Sequence, residues 1–255
     1  MFYNSNNNLI NFILDFIYPQ YCLKCGQHFP VITNQFYCSD CLLENIKFIN
    51  PPYCYKCGKK VLDEFENYVE EEKKIICKDC KENKIYFDSL RSVVFYEDII
   101  KELIHFFKYK GYTNLKKFLS LFIITYLTED SFYKDKQFDY IIPVPLHKTK
   151  YEERGFNQTL LIAKEVSKVL KIPVLDNYLI RIKKTESQFN LKRSERIENI
   201  KGAFDVENEK KLTEKKILLI DDISTTNITI NECSKILKEK GSAKRIDTIT
   251  IAHGR

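Results

Sequence analysis

Three things are scarce or missing in this chain of 255 residues. No apolar run is long enough to cross a bilayer as a helix, so membrane insertion is not expected. No secretory leader is expected either. The run from Leu9 to Ile17 is short, is broken by Asn11 and Asp15, and has no basic approach. It predicts a short amphipathic helix within residues 1–18. The third scarcity is of unpaired cysteine: of nine cysteines, only Cys233 stands outside a Cys-x-x-Cys pair. With no sign of export, such pairs point to metal ligation in a reducing, cytoplasmic setting rather than to disulfides.

The pairs are Cys22/Cys25, Cys38/Cys41, Cys54/Cys57 and Cys77/Cys80. Two residues between thiolates let both bind one ion from a tight turn, and two such turns complete a tetrahedral site. The segment also repeats itself. Tyr21-Cys-Leu-Lys-Cys-Gly26 returns as Tyr53-Cys-Tyr-Lys-Cys-Gly58, and Phe36-Tyr-Cys-Ser-Asp-Cys41 returns as Ile75-Ile-Cys-Lys-Asp-Cys80. A tandem repeat implies two zinc ions, one held by residues 22–41 and one by 54–80, rather than a cross-braced pairing. Structural zinc stapling a segment too small for its own core is the plainest role. Nucleic-acid contact, partner docking and redox sensing are the alternatives. Asp63 to Lys74 reads as a solvated hairpin or loop of the second ribbon. Cys233, in step with Ile230 and Leu237, reads as a small core residue.

Charge divides the chain. Residues 1–88 hold 10 Lys and Arg against 12 Asp and Glu, and the remainder holds 31 against 23. Net positive charge therefore sits in the larger part, which suits a polyanionic ligand or nucleic acid.

That part is organised around Lys216 to Thr229, KILLIDDISTTNIT. Ile217 to Ile220 is an uninterrupted apolar run, as in a strand buried on both faces of a parallel sheet. Asp221 and Asp222 close it, and Ser224, Thr225, Thr226, Asn227, Ile228 and Thr229 form a hydroxyl-rich turn before a predicted helix. A helix N-terminus offers unpaired N–H groups and partial positive charge to a phosphate. Two acids beside a phosphate cradle suit sugar hydroxyls or a bridging cation. Further strands are predicted at Ser92–Tyr96, Phe138–Val144, Val174–Ile182 and Arg245–Ala252, and further helices at Ile99–Phe107, Leu115–Leu127 and from Leu160 to Leu170. Between the Pro143/Pro145 strand end and that last helix, His147, Lys148, Lys150 and Arg154 gather around Gly155, a cationic cluster fit for diphosphate. Arg154 is favoured for its planar fork, and His147 reads as an ordinary surface residue. From Arg181 to Lys201 the chain is polar, with 7 Lys and Arg against 3 acids. It reads as a basic flap poor in core residues, with Gln188, Arg193 and Arg196 able to reach a ligand.

The strand, acid pair and Thr-Thr turn resemble the loop of type I phosphoribosyltransferases that binds phosphoribosyl pyrophosphate (PRPP), with Asn227 where that family usually has Gly. Pro143-Val-Pro-Leu146, Arg154-Gly-Phe-Asn-Gln158, Thr185/Gln188/Leu191/Arg196/Asn199/Phe204 and the double ribbon extend the resemblance over nearly the whole chain to the ComF family. That resemblance implies an α/β fold, a type I phosphoribosyltransferase-like sheet with flanking helices over 89–255, preceded by a tandem zinc ribbon over 19–88. It implies that Asp221 and Asp222 hold the ribose hydroxyls, that Ser224 to Thr229 hold the 5′-phosphate, and that Lys150, Arg154, Gly155, Gln188 and Arg196 serve the diphosphate and flap. It implies Mg²⁺ with PRPP, and a role in natural competence with single-stranded DNA and a helicase-like partner. A working phosphoribosyltransferase, with catalysis resting on Asp221, Asp222 and Arg154, is the alternative. Its acceptor is unreadable, because no base-recognition motif is present. A PRPP-responsive zinc-ribbon regulator is the third reading.

Overall fold

The computed structural model describes residues 20–29, 36–61, 68–71, 74–185 and 193–254. The helix expected within 1–18, and Gln188 and Leu191 of the basic flap, lie outside the described residues. The chain forms two compact units, 1–47 and 48–255.

In the first unit, Cys22 and Cys25 lie in a tight turn. The Cys22 N–H donates to Gln27 O at 2.9 Å and Gly26 N–H returns to Cys22 O at 2.9 Å. The second pair leads into a short helix, α1 (Ser39–Asn45), that brings Cys41 inward.

The second unit begins with the other ribbon. Strands β1 (Tyr68–Glu71) and β2 (Lys74–Cys77) pair antiparallel in the stretch expected to form a hairpin, and α2 (Lys78–Glu82) follows. Then comes β3 (Ser89–Phe95), followed by α3 (Asp98–Tyr109) and α4 (Leu115–Glu129). Strand β4 (Tyr140–Pro143) leads to α5 (Lys148–Arg154) and α6 (Gln158–Leu170). A small antiparallel pair, β5 (Leu179–Arg181) and β6 (Phe204–Val206), brackets α7 (Arg193–Ile200). The chain finishes with β7 (Lys216–Ser224), α8 (Ile228–Glu239) and β8 (Arg245–His253).

The main sheet runs β3-β8-β7-β4, all parallel, with β7 and β8 central. Ile217 to Ile220 of β7 are each fully buried. Burial of each such side chain stabilises the fold by about 1.5–3 kcal/mol. Helices α4 and α6 pack on each other and against this sheet. Ile217 and Leu219 join Ile230, Cys233 and Leu237 of α8, Leu179 and Phe204 of the small sheet, and Cys54, Cys57 and Cys77 of the ribbon in one apolar cluster. The second ribbon is thus built into the α/β body. Leu90 N–H donates to Lys56 O at 2.8 Å, and Arg91 donates to Tyr55 O at 2.8 Å while stacking on the Tyr53 and Phe132 rings.

Both flanks of the sheet are covered. Ile49 N–H donates to Val93 O of β3, and Leu175 N–H donates to Ile141 O of β4. Three details depart from expectation. Asp221 and Asp222 lie inside β7, because pairing with β8 continues to Ser224. The expected strand Val174–Ile182 is split: Val174 bridges β4, while only Leu179–Arg181 forms a strand, in the small sheet. The basic segment, expected to be poor in core residues, has Thr185 and Ile200 buried among its described residues.

Candidate functional site

The site lies at the carboxyl end of β7. Asp221 and Asp222 are both buried, and successive strand residues point to opposite faces, so the two carboxylates diverge. Each is held by the backbone that follows it. Asp222 N–H donates to Asp221 Oδ1 at 2.8 Å, and Ile223 N–H donates to Asp222 Oδ1 at 2.9 Å. Their outer contacts differ. Asp222 Oδ2 meets Lys108 Nζ, at the end of α3, at 2.6 Å. Asp221 opens instead onto a cavity of about 190 Å³ lined by Val144, Pro145, Leu146, Lys150, Gln158, Arg181 and Thr229. Burial, reinforced by the Asp222 charge, pushes Asp221 well above the usual carboxylate range. Burial alone would lower Lys108, but pairing with Asp222 outweighs it and the lysine ends above its ordinary value.

The hydroxyl turn follows directly. Ser224 is buried, and its Oγ lies 2.9 Å from Ser92 Oγ and 3.0 Å from His253 Nδ1, while Ser92 Oγ in turn lies 2.7 Å from Thr250 Oγ1. Three strands therefore pin the start of the loop. Burial lowers the His253 pKa, which favours the neutral ring. Thr225, Thr226, Asn227, Ile228 and Thr229 remain partly or fully open. Asn227 takes the left-handed conformation, φ 61° and ψ 6°, and its carbonyl accepts Asn231 N–H at 2.8 Å, starting α8. Asn is among the few residues that adopt this conformation readily. The turn usually made with Gly therefore forms with Asn, and its Oδ1 is buried without a hydrogen-bond partner.

Arg154-Gly-Phe-Asn-Gln158 is a joint between two helices. Gly155, at φ 80°, ends α5 and donates to Tyr151 O at 2.7 Å. Phe156 packs on Phe107, with ring centroids 5.8 Å apart. Asn157 caps α6 by accepting Thr159 N–H at 3.1 Å, and Thr159 Oγ1 donates to Val144 O at 2.6 Å. The helix start is thereby tied to the end of the β4 segment. Arg154 donates to Gln158, which is buried, and lies 5.2 Å from the Tyr109 ring centre.

Arg154 does not line the Asp221 cavity. It lines an adjoining one of about 200 Å³ with Lys108, Tyr109, Gly111, Lys150, Glu153 and Phe156. Lys150 borders both. Partial burial, then the neighbouring charges of Arg181, Arg154 and Lys108, pull its pKa down. Arg196 sits on α7 and is not among the residues lining these two cavities.

Three contributors escaped the sequence reading. Arg181 was counted only as part of a basic run. In the fold it lines the Asp221 cavity, donates to Thr185, and is lowered by burial with Asp221 opposing. Its position as the last residue of a short strand was the available signal. Lys108 lies in the last turn of α3, and nothing in its local sequence announces its pairing with Asp222. His147 is no idle surface residue: its Nδ1 accepts Thr149 N–H at 3.3 Å and caps α5.

The ribbons form two separate four-sulfur clusters, Cys22/Cys25/Cys38/Cys41 and Cys54/Cys57/Cys77/Cys80, each with its ligand atoms within 4.8 Å of one another. The pairing is tandem. Sulfurs of Cys25 and Cys38 are 3.8 Å apart, and those of Cys57 and Cys77 are 3.6 Å apart. Tetrahedral zinc with Zn–S bonds of about 2.3 Å requires roughly 3.8 Å between sulfurs. Hydrogen bonds from Cys57 and Cys77 push the Cys54 thiol down.

Residues 13–83 match the family model for a double zinc ribbon domain. Competence protein ComFC of Bacillus subtilis is 33% identical over 183 residues, spanning 69% of this chain and 71% of that one. Competence protein ComFC of Streptococcus pneumoniae is 30% identical over 235 residues, spanning 90% of this chain and 98% of that one. This chain belongs to the ComF family. Among solved structures, a purine phosphoribosyltransferase from Pyrococcus horikoshii is similar at 20% identity and a TM-score of 0.31, over 55% of this ComF chain and 73% of its own. Among the described residues of this ComF protein, no helix is long and apolar enough to cross a membrane.

Proposed function

We propose that this protein binds PRPP at the end of β7 and acts in competence or DNA utilisation on the cytoplasmic side. The observation that carries the ligand claim is the cavity onto which Asp221 opens. An acid, a threonine at the start of a helix and two cations, Lys150 and Arg181, converge there. That mixture suits a sugar whose hydroxyls need acceptors and whose phosphates need donors. Asp221 and Asp222 take the ribose hydroxyls, Ser224 to Thr229 take the 5′-phosphate, and Lys150 with Arg181 and Arg154 faces the diphosphate. Gln188 and Arg196 are the flap residues assigned to the same diphosphate.

Mg²⁺ fits this arrangement as a companion of the ligand. Asp222 Oδ2 is engaged by Lys108, so the acid left for a hard cation is Asp221, with the ligand's own phosphate oxygens completing the shell. Relatives named competence protein F in Haemophilus influenzae and DNA utilization protein YhgH in Escherichia coli support the biological role. Single-stranded DNA and a competence helicase are the proposed partners.

Calorimetry with PRPP and Mg²⁺ tests the reading. Wild type is expected to bind, and Asp221→Asn combined with Asp222→Asn to lose the signal. An absence of heat with intact protein overturns it. Salt-dependent retention of single-stranded oligonucleotides tests the DNA partner. The adjoining cavity, with Tyr109 and Phe156 in its wall, favours turnover as a second reading, because it leaves room for an acceptor beside the sugar. Release of diphosphate with one member of a panel of bases separates an enzyme from a binder.

A further inference from the structure

Gln158 is 5% exposed and lines the Asp221 cavity, while Arg154 lines the adjoining one, and neither lines both. Arg154 donates to Gln158 Oε1. A guanidinium carries donors only, so this bond fixes which end of the amide is which. The oxygen is held on the Arg154 side, and the NH2 group is left to the cavity that Asp221, Lys150, Arg181 and Thr229 also line. Among the described residues no acceptor takes it, Asp221 included. We infer that Gln158 donates this amide hydrogen to the diphosphate of PRPP, and that Arg154 is a positioning residue acting on the ligand through Gln158. The inference rests on the ligand reading above and changes one part of it: Arg154 serves the diphosphate at one remove.

The bond is poorly explained as a staple of the joint between α5 and α6. Gly155 N–H already closes α5 on Tyr151 O at 2.7 Å, Asn157 caps α6, and Thr159 Oγ1 ties the helix start to Val144 O at 2.6 Å. An apolar side chain at position 158 would fill the same space without bringing in a donor that needs a partner. A buried donor left unmade costs free energy, so one held in that state on a cavity lining marks where an acceptor docks. Lys150 and Arg181 stand on the same lining, so the acceptor they share with Gln158 is anionic oxygen. The amide adds no charge to theirs. It adds direction, because its N–H bonds lie in a plane that the Arg154 contact holds fixed.

The experiment is calorimetric titration of PRPP, in excess Mg²⁺, into wild type, Gln158→Leu, Gln158→Glu, Arg154→Met and the Arg154→Met/Gln158→Leu double variant, with a thermal melt of each. Gln158→Leu is expected to bind about tenfold or more weakly than wild type at an unchanged melting temperature. Gln158→Glu keeps a partner for Arg154 but presents an acceptor where the ligand needs a donor. It should melt no lower than wild type and bind about a hundredfold or more weakly. Arg154→Met should weaken binding about tenfold, and the double variant should match Gln158→Leu to within about threefold, because both changes remove the same contact. Wild-type affinity in Gln158→Leu or Gln158→Glu overturns the inference. So does a double variant whose loss is the product of the two single losses, since Arg154 would then touch the ligand itself. Weakening only in variants that also melt several degrees lower marks a packing role and overturns it too. Silence from wild type removes the ligand reading, and this one with it. Should Gln158→Leu fail to fold, Gln158→Glu still decides.

Discussion

Asp247 has no solvent exposure, yet it gathers Lys136 Nζ at 2.8 Å, Arg245 Nε at 2.6 Å and Ser89 Oγ at 2.5 Å at the amino end of β8. Burial alone would raise its pKa, but the donors from Arg245, Lys136 and Ser89 outweigh burial and leave it low. Burial also takes Lys136 down to about 8 despite the same contact, so at neutral pH the lysine still carries its charge. A carboxylate depressed by folding contributes stability above its unfolded value of about 3.9, and that contribution drains away as pH falls through the lower folded value. Asp247→Asn should therefore cost about 3 kcal/mol at neutral pH. The gap from wild type should close as pH drops from roughly 5 to 2. Thermal melts across that range check it, and a gap that stays constant would mean the ionised carboxylate is not the source. Asn227 supports a second residue-scale prediction. At φ 61° a β-branched side chain is strained, so Asn227→Val should lower stability by about 1–2 kcal/mol. Asn227→Gly should leave stability nearly unchanged and, on the proposed function, tighten PRPP binding, because it removes an amide oxygen buried without a partner in the hydroxyl turn. Unaltered or weaker binding by the Gly variant would show that the amide does not crowd the ligand.

Two glycines at matching places in the repeated ribbon motif give a controlled comparison at the level of elements. Gly26 and Gly58 adopt nearly the same backbone, φ 72° and 70°, so Ala at either meets the same strain. A Cβ on Gly26 would touch nothing within 4 Å, whereas one on Gly58 would sit 2.6 Å from Leu90 O in β3. Gly58→Ala should therefore destabilise clearly more than Gly26→Ala, by an extra 1–3 kcal/mol or so as the knuckle is pushed off the strand. Urea unfolding measures the difference, and equal losses would mean that the close approach contributes nothing. The elements themselves were unequally visible beforehand. Strand β7 announced itself through Ile217 to Ile220, because burial on both faces demands an unbroken apolar run. Its continuation through the acids did not, since pairing with β8 is a long-range event that local polarity hides. Helix α5, Lys148–Arg154, has no buried residue and hence no period to read. It stands on its ends, with a histidine cap before it and a left-handed glycine after it. Arg154-Gly-Phe-Asn-Gln158 was conspicuous as a string and opaque as a mechanism. Only in three dimensions does it become a joint that aims α6 at the Val144 carbonyl.

For the whole molecule, metal content and folding are coupled unequally in the two ribbons. Cys54, Cys57 and Cys77 share the apolar cluster with β7 and α8, so an empty second site would leave unpaired thiols against the main core. The first site lies in the separate unit of residues 1–47. Metal analysis should find about two zinc ions per chain. Cys54→Ser with Cys57→Ser should lower the melting temperature of the α/β body, while Cys22→Ser with Cys25→Ser should leave that transition in place. Calorimetric scans resolve the two cases, and an identical shift for both pairs would refute the asymmetry. The division between ribbons could not be foreseen from the repeat, which presents two equivalent copies. What distinguishes them is Leu90, Arg91 and Phe87, contributed by sequence well beyond either motif.

The covered flank of β3 carries a consequence for how such a chain can be rearranged over generations. A crossover that exchanges everything up to Lys47 swaps the first unit and leaves the strand's outer margin dressed by Ile49. A crossover at Ser89 would strip that margin bare, remove Phe87 and three cysteines from the interior, and leave Arg91 without the Tyr53 ring and the Tyr55 carbonyl it rests on. The natural seam for gene fusion thus falls in the middle of what the sequence presents as a single double motif, and the second copy travels with the α/β body.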